Sequence, residues 1–409
     1  MRNIKNEMDK ALCMLGVRAL REEQKLPLQA ALAGKNIIVR LPTGKGKSLI
    51  GQVPAIVDNK GYTLVISPML ALQSDQMAKM LGKGVTAYLL NSAQSTQERN
   101  AVLAAMKEGP GNTLLYLGPE QLVKEDIQCV LSQGGCRRVI VDEAHLILGA
   151  TEHFRPEFHE IANVIQKLPV KPQVIALTAT VTEKGIRALK RELELPNAEV
   201  FKGSIRRTNL KLSIHRVSGD SHQDLVGQAV LRQLEKIGEG KTIIYCPTPK
   251  RAEEIYRLIK SRGYPAACLH GKTKHSVRKE EQHRFAQGKC RIMVSTSAFG
   301  LGVDIPDVRL VIHAGLPLTV DAYFQEIGRA GRDGRTAKCC LIYHDGDFGR
   351  NKAILKRDRP SKYVSKQDKL LHEIVSGEAC VWKLGEKYFG DKVGKRCHNC
   401  PSCRRKHCC

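Results

Sequence analysis

The sequence predicts an α/β protein: two tandem parallel-sheet units followed by a small helical module built on cysteines. Three observations carry that expectation. An apolar run at 36–40 leads into Leu41-Pro42-Thr43-Gly44-Lys45-Gly46-Lys47-Ser48, and an apolar helical stretch, 49–57, follows. Strand-like and helix-like stretches then alternate, first to about residue 177 and again from residue 210. Such alternation argues for parallel sheets covered on both faces. Near the C-terminus Cys397, Cys400 and Cys403 stand at x₂ spacing, with Cys380 upstream.

In chain order, residues 1 to about 30 read as helical. Within them Gln24 lies roughly twenty residues before the glycine loop. Its amide can both donate and accept, so it could read an adenine edge; a solvated helix face is the plainer alternative. The loop itself has the context of a phosphate-binding loop. Gly44 and Gly46 let the backbone curl around Thr43 and Lys45 so that successive N–H groups face one anion, and the helix start adds partial positive charge. Lys47 is then placed to reach the β/γ-phosphates and Ser48 to ligate Mg²⁺. Leu41 stands where the general pattern opens with Gly.

Strands are expected at 62–67, 86–90, 113–117, 138–141 and 173–177, with helices at 70–81 and 96–107. Ligands of such sheets bind at the carboxyl ends of strands. Asp142-Glu143-Ala144-His145 follows the apolar run 139–141 and falls at one such end. Asp142 is placed to hold Mg²⁺ and Glu143 to deprotonate an attacking water, because phosphoryl transfer needs chiefly positioning and charge neutralisation. Leu177-Thr178-Ala179-Thr180 follows a third strand, where hydroxyls can bridge neighbouring groups.

The second unit offers strands at 210–216, 242–246, 266–269, 291–295 and 308–313, with helices at 224–237, 249–262 and 276–286. It has no glycine loop of its own. It carries Gln325-Glu326-Ile327-Gly328-Arg329-Ala330-Gly331-Arg332-Asp333-Gly334. Arg329 and Arg332, three apart at a helix end, can project together toward a γ-phosphate if the units face each other. A surface arginine cluster is the alternative.

The chain has 409 residues, 66 Lys and Arg against 41 Asp and Glu, and a net charge of +25. That surplus favours a polyanionic partner through phosphate contacts and counterion release. Aromatics make up only 5%, so recognition by many stacked bases is not advertised. From Arg350 onward, 16 basic residues face 6 acidic ones. No apolar run reaches the ~18–20 residues that span a membrane, and the N-terminus is not a secretory signal. An intracellular protein with no membrane partner is expected: nuclear in a eukaryote, in the cytoplasm or nucleoid in a bacterium. Of the 14 cysteines, Cys13, Cys129, Cys246, Cys268 and Cys290 are expected as small buried thiols. The x₂-spaced set suits tetrahedral Zn²⁺ better than disulfides inside a cell, with His407, Cys408 and Cys409 as competitors for the metal.

These motifs together resemble the RecQ family of DNA helicases, within superfamily 2. The resemblance covers about residues 10–404. It rests on Leu20-Arg21-x-x-Gln24, the 41–48 loop, Ser67-Pro68-Met69-Leu70-Ala71-Leu72 and Gly118-Pro119-Glu120. It continues through 142–145, Phe154-Arg155-Pro156-Glu157-Phe158, 177–180, Ala298-Phe299-Gly300-Leu301-Gly302-Val303-Asp304 and the 325–334 run. It implies two RecA-like domains, 1–205 and 206–345, with ATP in the cleft between them, and a zinc module at 346–409. It implies that Arg21 and Gln24 read adenine, that Arg332 is the arginine finger with Arg329 beside it, and that Asp304 supports the nucleotide sugar or the closed state. Phe154 and Arg155 would sense single-stranded DNA, and His145 would pass that signal on. Cys380 would be the lone zinc ligand from the first helix of its module.

The implied activity is 3′→5′ movement on DNA, acting on single strands and duplex junctions. RNA as substrate, or an ATP-switched binding and annealing module, are the alternatives. The family loop after the DEAH box usually carries a Trp; here residues 146–153 have none. Many relatives continue into a winged helix, whereas this chain ends at Cys409, so weak unwinding or a fragment is expected.

Overall fold

The computed structural model describes residues 4–58, 60–68, 70–108, 111–149, 156–219, 222–237, 240–297, 299, 305–357 and 359–405. Phe154, Arg155 and Asp304 lie outside the described residues, as do His407, Cys408 and Cys409. The chain divides into two compact units, Met1–Gly203 and Ser204–Cys409.

The first unit is built on seven strands: β1 (Ile37–Arg40), β2 (Tyr62–Ile66), β3 (Ala87–Leu90), β4 (Thr113–Leu117), β5 (Cys136–Val141), β6 (Gln173–Thr178) and β7 (Glu199–Lys202). All pair in parallel, in the order β3-β4-β2-β5-β6-β1-β7. Alternate side chains of each strand feed opposite layers. Val39 and Leu177 join Ile50 and Val53 on one face, while Ile38 and Ala176 join Ile161 and Leu189 on the other. This is why the strands read as unbroken apolar runs. Each such Val, Leu or Ile side chain contributes roughly 1.5–3 kcal/mol by leaving water.

The N-terminal stretch expected as helical is two helices, Ile4–Met14 and Glu22–Leu32, parted by a turn at Gly16 (φ 70°). β7 was not anticipated from the sequence. It is a four-residue edge strand, only half-buried, that pairs with β1 alone and so lacks an apolar signature.

The second unit holds β8 (Leu210–Arg216), β9 (Lys241–Tyr245), β10 (Ala266–Leu269), β11 (Ile292–Ser295), β12 (Val308–Ala314) and β13 (Ala337–Tyr343), in the order β10-β11-β9-β12-β13-β8, again all parallel. β13 too was absent from the sequence expectation, although it is a buried strand between β12 and β8. Its start follows directly on the glycine-broken arginine turn, which masks the apolar run behind it.

The helices Gly346–Leu355, Ser361–Ser376, Val381–Phe389 and Pro401–Arg405 follow. They share a core with the second sheet: Trp382 and Phe389 are buried against Phe324, at ring-centroid distances of 5.7 and 5.8 Å. Gly385 permits that approach, because a Cβ there would overlap the Phe324 ring. Cys246 and Cys290 are buried and Cys268 is partly buried, as expected; Cys13 and Cys129 are exposed, on the outer faces of their helices. Among the described residues no helix is long and apolar enough to cross a membrane.

Candidate active site and metal centre

Strands β5, β6 and β1 are neighbours, so their carboxyl ends bring three distant stretches together. Leu41 N–H bonds Thr178 O at 3.1 Å, and Asp142 N–H bonds Ile66 O at 2.9 Å. The glycine loop, the 142–145 stretch and Thr178–Thr180 therefore meet at one edge of the sheet. The helix Ser48–Val57 sits close on β5 because Gly51 has no side chain; a Cβ there would lie 2.5 Å from Ile140 Cδ1.

Gly44 and Gly46 take φ of 77° and 70°, the left-handed region that glycine enters without steric cost. Thr43 and Lys47 are buried. Ser48 and Asp142 line the same small pocket, together with Gln52, Gln76 and Tyr116. A hydroxyl and a carboxylate sharing one pocket are oxygen donors suited to a hard divalent cation. Burial pushes the Asp142 carboxyl up to about 6, with the neighbouring Glu143 carboxylate adding to the rise and Lys47 opposing it.

Glu143 has φ 50°, and its N–H bonds Asp142 Oδ1 at 3.0 Å. His145 Nδ1 lies 3.4 Å from Glu143 Oε2 and 3.1 Å from Thr178 Oγ1, and the Thr178 hydroxyl donates to Thr180 O at 3.4 Å. A polar chain thus runs from Glu143 through His145 to the end of β6.

Gln24 is buried, and its amide holds the loop. Nε2 donates to Lys45 O (3.1 Å) and Gly46 O (3.0 Å), while Oε1 accepts from Arg21 N–H (2.9 Å). Arg21 Nη1 donates to Gly44 O at 2.5 Å. Gln24 is therefore not on a solvated helix face; it and the exposed Arg21 both grip the backbone of the loop.

Three residues near this site were not singled out from the sequence. Gln76 hydrogen-bonds the Asp142 carboxyl, and Gln73, one turn earlier, donates to Ser67 O at 2.5 Å. Arg40, fully buried on β1, donates to Val181 O at 3.2 Å. The glutamines at i and i+3 just after the Ser67–Leu72 stretch were a usable signal. A charged residue inside an apolar strand was another.

In the second unit the helix Val320–Ile327 ends at Gly328, and Arg329 and Arg332 follow in the turn. Arg329 is buried and hydrogen-bonds the Tyr245 hydroxyl. Arg207 fixes the turn by donating to Gly328 O (3.3 Å), Ala330 O (3.2 Å) and Gly331 O (2.6 Å). Glu326 pairs with His313 Nε2 at 2.8 Å beneath it.

The sulfurs of Cys380, Cys397, Cys400 and Cys403 lie within 4.8 Å of one another, and three of these four residues are buried. Thiolates ~2.3 Å from a tetrahedral Zn²⁺ stand roughly 3.8 Å apart, so this cluster fits the ion. Hydrogen bonds among the thiols pull Cys400 down and push Cys397 up; a metal would need all four as thiolates. The 397–400 turn also binds the edge of β8: Leu212 N–H donates to Asn399 O at 2.7 Å, and Asn399 Nδ2 donates to Thr208 O at 2.7 Å.

Residues 21–189 match the family model of the DEAD/DEAH box helicases, and residues 226–334 that of the helicase conserved C-terminal domain. The ATP-dependent DNA helicase RecQ of Bacillus subtilis is 33% identical over 374 residues, covering 91% of this chain and 62% of that protein. The probable ATP-dependent DNA helicase RecS of the same organism is 35% identical over 345 residues, covering 84% of this chain and 68% of that protein. The chain spans about 62% of the length of its RecQ relatives. In fold it is similar to yeast Dbp5 bound to RNA and ADP BeF3 (TM-score 0.67, 19% identity, 90% of this chain and 97% of that one). It is similar also to the DUF1998 helicase MrfA bound to DNA (TM-score 0.68, 18% identity, 94% of this chain and 55% of that one). On its two RecA-like parallel sheets and its identity to RecS and RecQ, the chain belongs to the RecQ family of superfamily 2 helicases.

Proposed function

We propose that the protein is an ATP-dependent DNA helicase that couples Mg-ATP hydrolysis to 3′→5′ movement on single-stranded DNA and to strand separation. The observation that carries this reading is the meeting of the 41–48 loop with Asp142 and Glu143 in a chain whose RecQ relatives are named as ATP-dependent DNA helicases.

Lys47 would neutralise the β/γ-phosphates while the loop N–H groups hold them. The Ser48 hydroxyl and the Asp142 carboxylate would hold Mg²⁺, which supplies charge neutralisation at the phosphates. Glu143 would take the proton of the attacking water, and His145 and Thr178 hold it in place. Gln24 and Arg21 would position the base, with Gln24 Oε1 as the atom left to accept from it, because Nε2 already donates to Lys45 O and Gly46 O. Arg332, with Arg329 beside it, would stabilise charge on the γ-phosphate, a contribution of roughly 10³–10⁵ in rate for such residues. Asp304 would support the nucleotide from the second unit. Phe154 and Arg155 would report single-stranded DNA to the 142–145 stretch through His145. The basic segment from Arg350 onward, folded around Zn²⁺, would grip the DNA backbone.

A forked DNA duplex with one labelled strand tests the proposal, with Mg-ATP present and Glu143→Gln as the blank. Strand release by the wild type from 3′-tailed forks alone is expected. Tight DNA binding with no release on any fork favours the ATP-switched binding and annealing module, the second reading, for which the Trp-less 146–153 loop speaks.

A further inference from the structure

Lys45 is the loop residue whose charge the mechanism leaves unused. It stands between two glycines in the left-handed region, and its Nζ lies 2.8 Å from Glu23 Oε1. Both side chains are about one-third exposed, at 30% and 35%. The hydrogen bond from Lys45 holds the Glu23 carboxyl below its ordinary range. Glu23 lies between Arg21 and Gln24, which hold the loop by its backbone carbonyls. Glu23 instead holds a side chain, and a side chain can leave without the loop moving.

We propose that Lys45 is a second phosphate-binding cation of the loop, held back by Glu23 until a nucleotide arrives. The inference rests on the nucleotide reading of the 41–48 loop. A lysine ammonium is a compact charge on a flexible stem with three donors. A phosphate chain offers it more negative charge than one carboxylate does. A partly exposed ion pair costs little to break. Nucleotide binding then exchanges the Glu23–Lys45 pair for a Lys45–phosphate pair, while Arg21 and Gln24 keep their grip on the loop backbone. Glu23 thereby sets how tightly nucleotide binds.

Calorimetric titration of the full chain with ADP and Mg²⁺ tests this, on the wild type, Glu23→Gln, Glu23→Asp, Lys45→Gln and the Glu23→Gln/Lys45→Gln double variant. Glu23→Gln should tighten Kd about two- to five-fold at low salt, the range expected for releasing a partly exposed ion pair. Glu23→Asp should return it toward the wild-type value. The gain should vanish in the Lys45→Gln background and shrink as salt screens the charges. A weaker Kd for Glu23→Gln would make the pair a structural clamp and overturn the proposal. An equal gain in both backgrounds would also overturn it, because Glu23 would then act on the phosphates directly. ADP binding by the wild type that is indifferent to Glu23 overturns only this inference. A wild-type chain that binds no ADP overturns the nucleotide reading and this inference together.

Discussion

Glu143 takes a left-handed backbone with φ 50°, a conformation that costs a non-glycine residue of order 1 kcal/mol or more. The cost is sustained because the neighbourhood fixes the residue twice. Its N–H is bound by Asp142 Oδ1, and its carboxylate lies 3.4 Å from His145 Nδ1. Glu143→Gln keeps that shape and removes the base, so ATP should bind while turnover falls by a factor of about 10² or more. Binding by calorimetry alongside steady-state hydrolysis separates the two. Lys47→Ala should abolish turnover by removing the buried charge that faces Asp142. Normal turnover in either variant contradicts the assigned roles. Gly331 is a third sensitive residue. Its φ is 53°, and a Cβ there would lie 2.6 Å from Asn209 Nδ2 and 2.7 Å from Arg335 O. Gly331→Ala should destabilise the arginine turn by about 1–3 kcal/mol, read as a lower Tm.

The elements follow from burial. Strands covered on both faces read as apolar runs, so β1, β2, β4, β5 and β6 were legible in the sequence. β7 was not, since it is a short half-exposed edge. β13 was missed because its boundary is hidden by the glycines before it. The same contrast holds at the site. The loop, the 142–145 stretch and the four cysteines announce their chemistry by residue type and spacing. The work of Gln24 on Lys45 O and Gly46 O, and of Arg207 on the arginine turn, is tertiary and has no local signature.

The cysteine turn shows an element acting on its neighbour. By bonding Leu212 N–H it covers part of the free edge of β8, where unpaired backbone groups invite aggregation. Cys400→Ser, or removal of Zn²⁺ by a chelator, should therefore lower both metal content and solubility. Metal analysis and sedimentation check this. Full zinc occupancy in the variant would contradict the ligand assignment.

At the scale of the whole molecule, two RecA-like units and a basic helical segment make up a chain of net charge +25. That charge suits a phosphate backbone of either nucleic acid. Membership of the RecQ family was legible in the motifs. The 146–153 loop, which has no Trp to stack on a base, bears on the proposed coupling of DNA to hydrolysis. Steady-state ATP hydrolysis without nucleic acid, with single-stranded DNA and with RNA, using Glu143→Gln as the blank, tests the central claim most directly. A DNA motor predicts strong stimulation by single-stranded DNA and little by RNA. Hydrolysis indifferent to both nucleic acids would contradict the coupling and leave an ATP-binding clamp.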